Sequence, residues 1–440
     1  MYPVWEVPGL TAGGMLALIA TFHILPSHLS VSAMWLNLYL EAKAYREERP
    51  DLLEFVRKYS RMLLIFAYVF GSITGVGIWF SASAAAPRAL SGLIHNYVWG
   101  WATEWAFFLI EVAGIFTYYY TFDKVDRRTH LKIGWIFALG SWTTMVVIVG
   151  ILTFMLTPGR WLVTGSFFDG FFNQTYWPQL FLRTTGMFAI AASYAVAVAS
   201  RSADERTRAD VVKIASAWGL AGLVLGTACF FWYRASLPEA ARATFDVLLT
   251  PGLKRGMGVP IGLMAAYFAF LRVRPMAVGP TPALLAIAVL FVSIFSFERA
   301  RELIRKPYLM PGYMYSNQII GGAIPAKGVG SETDEMNAKG ILRFAPFVPD
   351  GLRDVTDANR LEAGRMVALI ECSACHTLSA KGLRPLPQRV SALGFTDADS
   401  LSAFLDSLGA YPYMPPFVGT DAEKNALAEY LLSISKIAGE

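Results

Sequence analysis

The sequence predicts an all-α protein: a polytopic transmembrane helix bundle of about eight helices over residues 1–310, then a small all-α domain over residues 356–440. Three observations carry this expectation. More than half of the 440 residues are hydrophobic and only 16% are charged, a balance foreign to an ordinary soluble enzyme. Apolar stretches of about 20 residues, long enough to cross about 30 Å of hydrocarbon, recur through the first three-quarters of the chain. The last quarter breaks the pattern. Residues 311–355, rich in Gly, Pro and polar side chains, read as a surface linker, with a hydrophobic patch at 341–348 expected to dock on the membrane domain or a partner.

The apolar stretches fall at about 10–42, 60–84, 97–122, 131–156, 178–200, 211–232, 256–271 and 282–299. Their length and all-round apolarity point to helices, because hydrocarbon leaves no partner for an unpaired backbone group. Pro26 should kink the first, and the seventh is short. Basic residues crowd alternate loops. Lys43, Arg46, Arg49, Arg57, Lys58 and Arg61 follow the first stretch; Lys124, Arg127, Arg128 and Lys132 follow the third; Arg201, Arg206, Arg208 and Lys213 follow the fifth. The second and fourth are each followed by one arginine, Arg88 and Arg160, while the loop after the sixth is mixed, with Arg242, Lys254 and Arg255. This bias places both termini outside, on the periplasmic face of a bacterial inner membrane. The net charge of +5 follows from the same asymmetry and is no nucleic-acid footprint. Met1-Tyr-Pro-Val-Trp lacks the basic region of a signal peptide, so the first helix should be retained. Cys229, alone in the sixth stretch, reads as a small buried apolar residue.

The other two cysteines stand in Cys372-Ser-Ala-Cys375-His376. In a covalent haem c site, two thiols at this spacing add across the haem vinyl groups and the adjacent histidine ligates the iron. A redox dithiol is the other reading of a bare motif, so the flanks matter. A helix-like run at 361–370 leads in, Tyr413-Met414-Pro415-Pro416-Phe417 offers a thioether on a proline-stiffened loop, and 421–436 reads as a closing helix. This order resembles a class I cytochrome c. The resemblance implies electron transfer, with His376 and Met414 as axial ligands. It also agrees with the topology, since covalent haem is attached in the periplasm.

Polar groups within hydrocarbon are costly and mark function by default. His23 sits mid-span in the first stretch and reads either as a metal ligand or as a hydrogen-bond partner for a neighbouring helix. His28 either lines the same cavity or satisfies a carbonyl freed by Pro26. His95 and His130 fall at loop ends. Glu104 and Glu111 are seven residues apart and share a helix face, which suits a proton path or iron ligation. Glu298 and Glu302 share another face, with Arg301 and Arg305 close by to hold carboxylates, although such charges also mark a membrane exit. Gly71, Gly75 and Gly77 read as close helix packing.

Four segments make the membrane domain similar to subunit I of the cytochrome bd oxygen reductases. They are Phe22-His23-Ile-Leu; Lys58-Tyr59 with Phe70-Gly71-Ser-Ile-Thr-Gly75; Glu104-Trp-Ala-Phe-Phe-Leu-Ile-Glu111 with Trp135-Ile-Phe-Ala-Leu-Gly-Ser141; and Glu302-Leu-Ile-Arg305-Lys-Pro307-Tyr308. The resemblance implies His23 as ligand of an active-site haem, assisted by Glu104 or Glu111. It implies Glu302 as the group serving a second haem, with Arg305 at haem carboxylates. One or two haems b, with haem d as the alternative macrocycle, a second membrane subunit and O2 as acceptor come with it. Departures accompany the likeness. Arg183 stands where the family has a haem-ligating histidine, so Met264 gives little reason to expect that haem. Only about 23 residues, 233–255, occupy the place of the quinol-binding loop, and a cytochrome c domain replaces the last helix. Two functions result: a terminal oxidase fed through haem c by a periplasmic c-type cytochrome or copper protein, or a relay subunit without O2 chemistry.

Overall fold

A computed structural model of the chain describes residues 6–437; Met1-Tyr-Pro-Val-Trp, with the expectation attached to it, lies outside them. Eight long helices form the bundle: α1 (Ala12–Arg46), α2 (Pro50–Ala85), α3 (Val98–Tyr120), α4 (Arg127–Phe154), α5 (Tyr176–Ala199), α6 (Glu205–Ala235), α7 (Pro251–Val273) and α8 (Pro280–Leu303). Seven are long and apolar enough to cross a membrane. The other, α3, has 23 residues, and its glutamates, tryptophans and tyrosines lower its hydropathy. Among the described residues the only strand pair is Tyr308–Met310 with Met314–Tyr315. The protein is an all-α, multi-pass membrane protein.

Each helix starts on a local signal and runs past its apolar stretch. Asp204 caps α6 by accepting from the Thr207 amide at 2.6 Å, and Asp126 caps α4 through the Arg128 and Thr129 amides. Pro50, Pro251 and Pro280 occupy first turns, where the missing N–H costs nothing. The seventh helix, expected to be short, gains its length this way. Helix α1 continues across Pro26, which rests against Gly71 of α2. Within α2, Leu64–Phe70 is a π-helical segment that resets which face meets α1. The α2 glycines are packing surfaces as expected: Gly75 lies on His23 and Gly77 on Ile19. Helices α5 and α6 cross closely at Gly222, where an added Cβ would sit 2.7 Å from the Thr185 carbonyl oxygen.

Short helices at Pro87–Asn96, Trp161–Thr164, Phe167–Phe171 and Glu239–Leu248 fill the loops after α2, α4 and α6. The expected linker 311–355 is a correction: it is an ordered arm. Its Tyr313, Met314 and Ile324, with Leu309 and Met310 just before it, pack on Trp161, Tyr97 and Leu93 over the bundle. Arg88 pairs with Glu332 at 2.9 Å and donates to the Gln318 carbonyl, also at 2.9 Å. Ile341, Leu342, Ala345 and Val348 do not dock on the membrane domain. They complete the core of the C-terminal domain with Val367, Leu427 and Leu431, and Glu423 accepts from the Ile341 and Leu342 amides at 3.0 and 2.9 Å.

That domain consists of α9 (Arg360–Glu371), α10 (Leu386–Leu393), α11 (Ala398–Asp406) and α12 (Asp421–Ile437). Helices α9 and α12 cross at Gly364, where any Cβ would collide with the Ala426 carbonyl. The domain sits on the bundle end where α1 starts and α8 finishes. Gly9 bridges Gly382, and the Leu383 amide donates to the Gly9 carbonyl at 3.2 Å.

Glu371, at the end of α9, is bonded by Asn317 of the arm at 2.6 Å, and burial pushes its carboxyl up to about 8. A folded-state value above the unfolded 4.5 means stability is fully present below pH 4.5 and is lost as pH rises through about 8. The unfolding midpoint of the C-terminal domain should therefore fall by several degrees from about pH 6 to about pH 9, and Glu371→Gln should flatten that slope.

Candidate functional site

The residues singled out by sequence fall into three groups. In the first, His23 of α1 points its Nδ1 at the Gly71 carbonyl (3.1 Å) and the Thr74 hydroxyl (3.3 Å) of α2. Donation from Nδ1 to the carbonyl leaves Nε2 with its lone pair, the form of imidazole that ligates iron. Gly75 is the cradle for this ring: a Cβ there would sit 3.2 Å from His23 Cε1. Both sequence readings of His23 are thus compatible with one geometry.

Deeper in the bundle, Glu111 of α3 is buried and accepts from Ser30 of α1 at 2.9 Å and from Ser141 of α4. Ser30 is also 2.6 Å from the Tyr68 hydroxyl, on the π-helical segment of α2. Four helices therefore converge on this carboxyl. Glu104, two turns nearer the outer end, is half-buried and makes no hydrogen bond or ion pair among the described residues. The two glutamates share a helix but not an environment. His130, expected at a loop end, is buried: its ring lies 2.6 Å from Glu41 and 2.9 Å from the Tyr118 carbonyl, sealing the inner ends of α1, α3 and α4.

The second group is the outer end of α8. Glu302 is buried, paired with Arg299 and with Lys306 at 3.0 Å, and faces Gly13 at the start of α1. Glu298, one turn earlier, accepts from Arg301 Nε at 3.0 Å and lies 3.7 Å from Arg183 of α5. Arg305 is buried and has no carboxylate partner among the described residues; its Nη1 is 3.6 Å from the Met155 sulfur. His28 turns toward α5 and accepts from Arg183 Nη1 at 3.1 Å, lining a cavity among α1, α5, α6, α7 and α8. Met264 is core, and Cys229 is a half-buried free thiol. Sequence reading missed the roles of Arg183, Arg299, Lys306 and Arg384. The only available signal was the rarity of cations beside apolar helices.

In the third group, Cys372 and Cys375 carry free thiols on the turn after α9. His376 Nδ1 donates to the Arg384 carbonyl at 2.9 Å, and Arg384 adopts φ 48° to present it. Burial, together with the cations Arg384, Arg389 and Lys306, pushes the His376 imidazole down to about 4. It is neutral at physiological pH with Nε2 free, which fits a proximal haem ligand. Met414 is half-buried on the loop between α11 and α12. The turn holding His376 faces the Arg299–Glu302–Lys306 cluster.

Residues 14–232 match the family model described as cytochrome bd terminal oxidase subunit I. Over these residues the chain is similar to cytochrome bd subunit I. Among solved structures, the bd oxidase from Geobacillus thermodenitrificans has the same fold, with a TM-score of 0.57 at 15% identity, covering 73% of this chain and 91% of that one. No curated protein matches the chain. The family match contains His23, Glu104, Glu111 and Arg183, whereas Glu302 and the C-terminal domain lie beyond it. The bd-like core thus rests on the family model and the fold, and the C-terminal group on its own geometry. Between α6 and α7 the core has only residues 236–250, with no room for a long loop.

Proposed function

We propose that this protein is the haem-bearing membrane subunit of a bd-type terminal oxidase, taking electrons from a periplasmic donor through a covalent haem c and reducing O2 within the core. The observation that carries this reading is the seating of the Cys372–His376 turn against the outer end of α8. There a neutral His376 with a free Nε2 faces the Glu302 cluster of the bd-like core.

In this reading Cys372 and Cys375 would hold the porphyrin by thioethers, and His376 and Met414 would be the residues that ligate its iron. His23 would ligate a membrane haem b or d, with Glu104 of α3 as the assisting carboxyl; Glu302 would serve a second haem, and Arg305 would neutralise haem carboxylates. Bound haem supplies one-electron chemistry and an O2-reactive iron. The chain does the rest. Gly71 orients the His23 ring, and Arg384 orients His376. Glu111, fed through the hydroxyls of Ser30, Ser141 and Tyr68, carries protons toward the His23 side. The apolar helices keep bulk water away. A second membrane subunit covers the lipid-facing aromatic surface, and a c-type cytochrome or copper protein is the donor, since no quinol loop exists.

The decisive test is a reduced-minus-oxidised spectrum of the purified complex, followed by O2 uptake with a reducing dye that bypasses quinol. Full reduction of the membrane haems without O2 uptake would leave only the relay function. Met414→His should keep covalent haem and lower its midpoint potential substantially, because a thioether favours the ferrous state. His23→Ala should remove one non-covalent haem while sparing the haem c band. Gly75→Val, which crowds the same ring, should lower the occupancy of that same haem and leave the haem c band intact. Quinol should support no inhibitor-sensitive turnover by the isolated subunit.

A further inference from the structure

The loop that follows Cys372–His376 wedges into the outer end of the bundle, and two glycines of α1 record the fit. Gly13 lies against Glu302 of α8. Gly14 lies against Leu383 of the loop, and Arg299 Nη1 is 4.0 Å from a Cβ added there. The α8 cluster and the CxxCH loop thus meet over adjacent residues of one helix.

Positive charge collects at this seam. Lys306 is buried, 3.0 Å from Glu302 and 3.3 Å from the Ser316 hydroxyl, and Arg299 is nearly buried against the same carboxylate. Arg384 lies within electrostatic reach of Glu302, and its Nη2 is buried with no hydrogen-bond partner among the described residues. Three cations therefore gather about one carboxylate. Glu371, next to Cys372 in the chain, offsets little of the excess. Burial pushes its carboxyl up to about 8, so it is mostly uncharged at neutral pH.

The cations reach the CxxCH turn itself. Cys375 is within electrostatic reach of Arg299, and the strongest charges acting on His376 are Arg384, Arg389 and Lys306. Oxidised haem iron carries one more positive charge than reduced iron, so cations held beside it disfavour the oxidised form. A unit charge about 10 Å away, at an effective dielectric of about 20, changes that balance by about tenfold. Burial limits screening by salt.

We infer that Arg299 and Lys306 of the bundle, with Arg384, raise the midpoint potential of haem c above the value its axial ligands alone would set. The inference rests on the reading that Cys372–His376 carries haem c, and it assigns part of the tuning to residues outside the C-terminal domain. An electron arriving on haem c offsets positive charge already buried in the seam. Seating the domain on the bundle therefore favours its reduction.

The experiment is an equilibrium redox titration of the haem c band in the full chain purified with its haems, unchanged band positions showing that ligation is intact. Lys306→Met and Arg384→Gln should each shift the ferrous–ferric balance about tenfold toward ferric, a fall of about 59 mV for one electron. Lys306→Arg and Arg384→Lys should stay near the unmodified value. Glu302→Gln, read on the haem c band alone, should raise the midpoint, because it removes the negative member. Loosened docking would instead lower it in every variant, so the sign separates charge from structure. If Lys306→Met fails to retain haem c, Arg384→Gln decides alone. An unchanged midpoint in either charge-removing variant overturns the inference. So does an equal fall in Lys306→Arg, a fall in Glu302→Gln, or a shift that disappears at high salt. Absence of covalent haem from the unmodified protein would instead overturn the proposed function.

Discussion

Six charged side chains occupy the nine residues from Glu298 to Lys306, where α8 leaves the hydrocarbon, and their mutual compensation constrains everything around them. Spacings of three and four residues stack acid on base along one helix: Arg301 on Glu298, Arg299 and Lys306 on Glu302. Burial makes this arrangement consequential, because a partner removed there leaves a charge with no water to receive it. The cluster also has two faces. Glu298 and Arg301 look into the cavity beside α5, while Glu302 looks toward Gly13 and the C-terminal domain. One helix end thereby ties the bundle interior to the domain that sits above it.

Close approach of backbones is the second organising element. Gly71 and Gly75 bring α2 against α1, so that a carbonyl and a hydroxyl of α2 orient His23. The π-helical segment just before Gly71 carries Tyr68 to the Ser30–Glu111–Ser141 group. With small residues at the crossing, both polar contacts form within one short stretch of α2. Larger side chains would hold the helices apart.

The arm between the two domains works by the same logic on the outside. Arg88 and Glu332 fasten it to the helix after α2, its apolar residues cover the outer loops, and Ile341 to Val348 finish the core above. With Leu383 bonded to Gly9, the C-terminal domain is held at several points.

Sequence alone determined the all-α, multi-pass fold, the order of its long helices, and which of those helices carry His23, Glu104, Glu111 and Glu302. Hydrocarbon demands apolar length, so that constraint is written locally, as is the cysteine spacing on which the proposed haem c rests. Helix ends were less legible, because capping residues such as Asp204 extend α6 into polar sequence. The arm was misread as a linker because Ile319, Met336 and Ile341 follow no helical or strand period, and only packing against α9 and α12 buries them. Likewise, the meeting of His28 with Arg183 joins residues 155 positions apart. Local pattern specifies which segments are helices; which charges become neighbours depends on how those helices cross, and only the tertiary structure decides that.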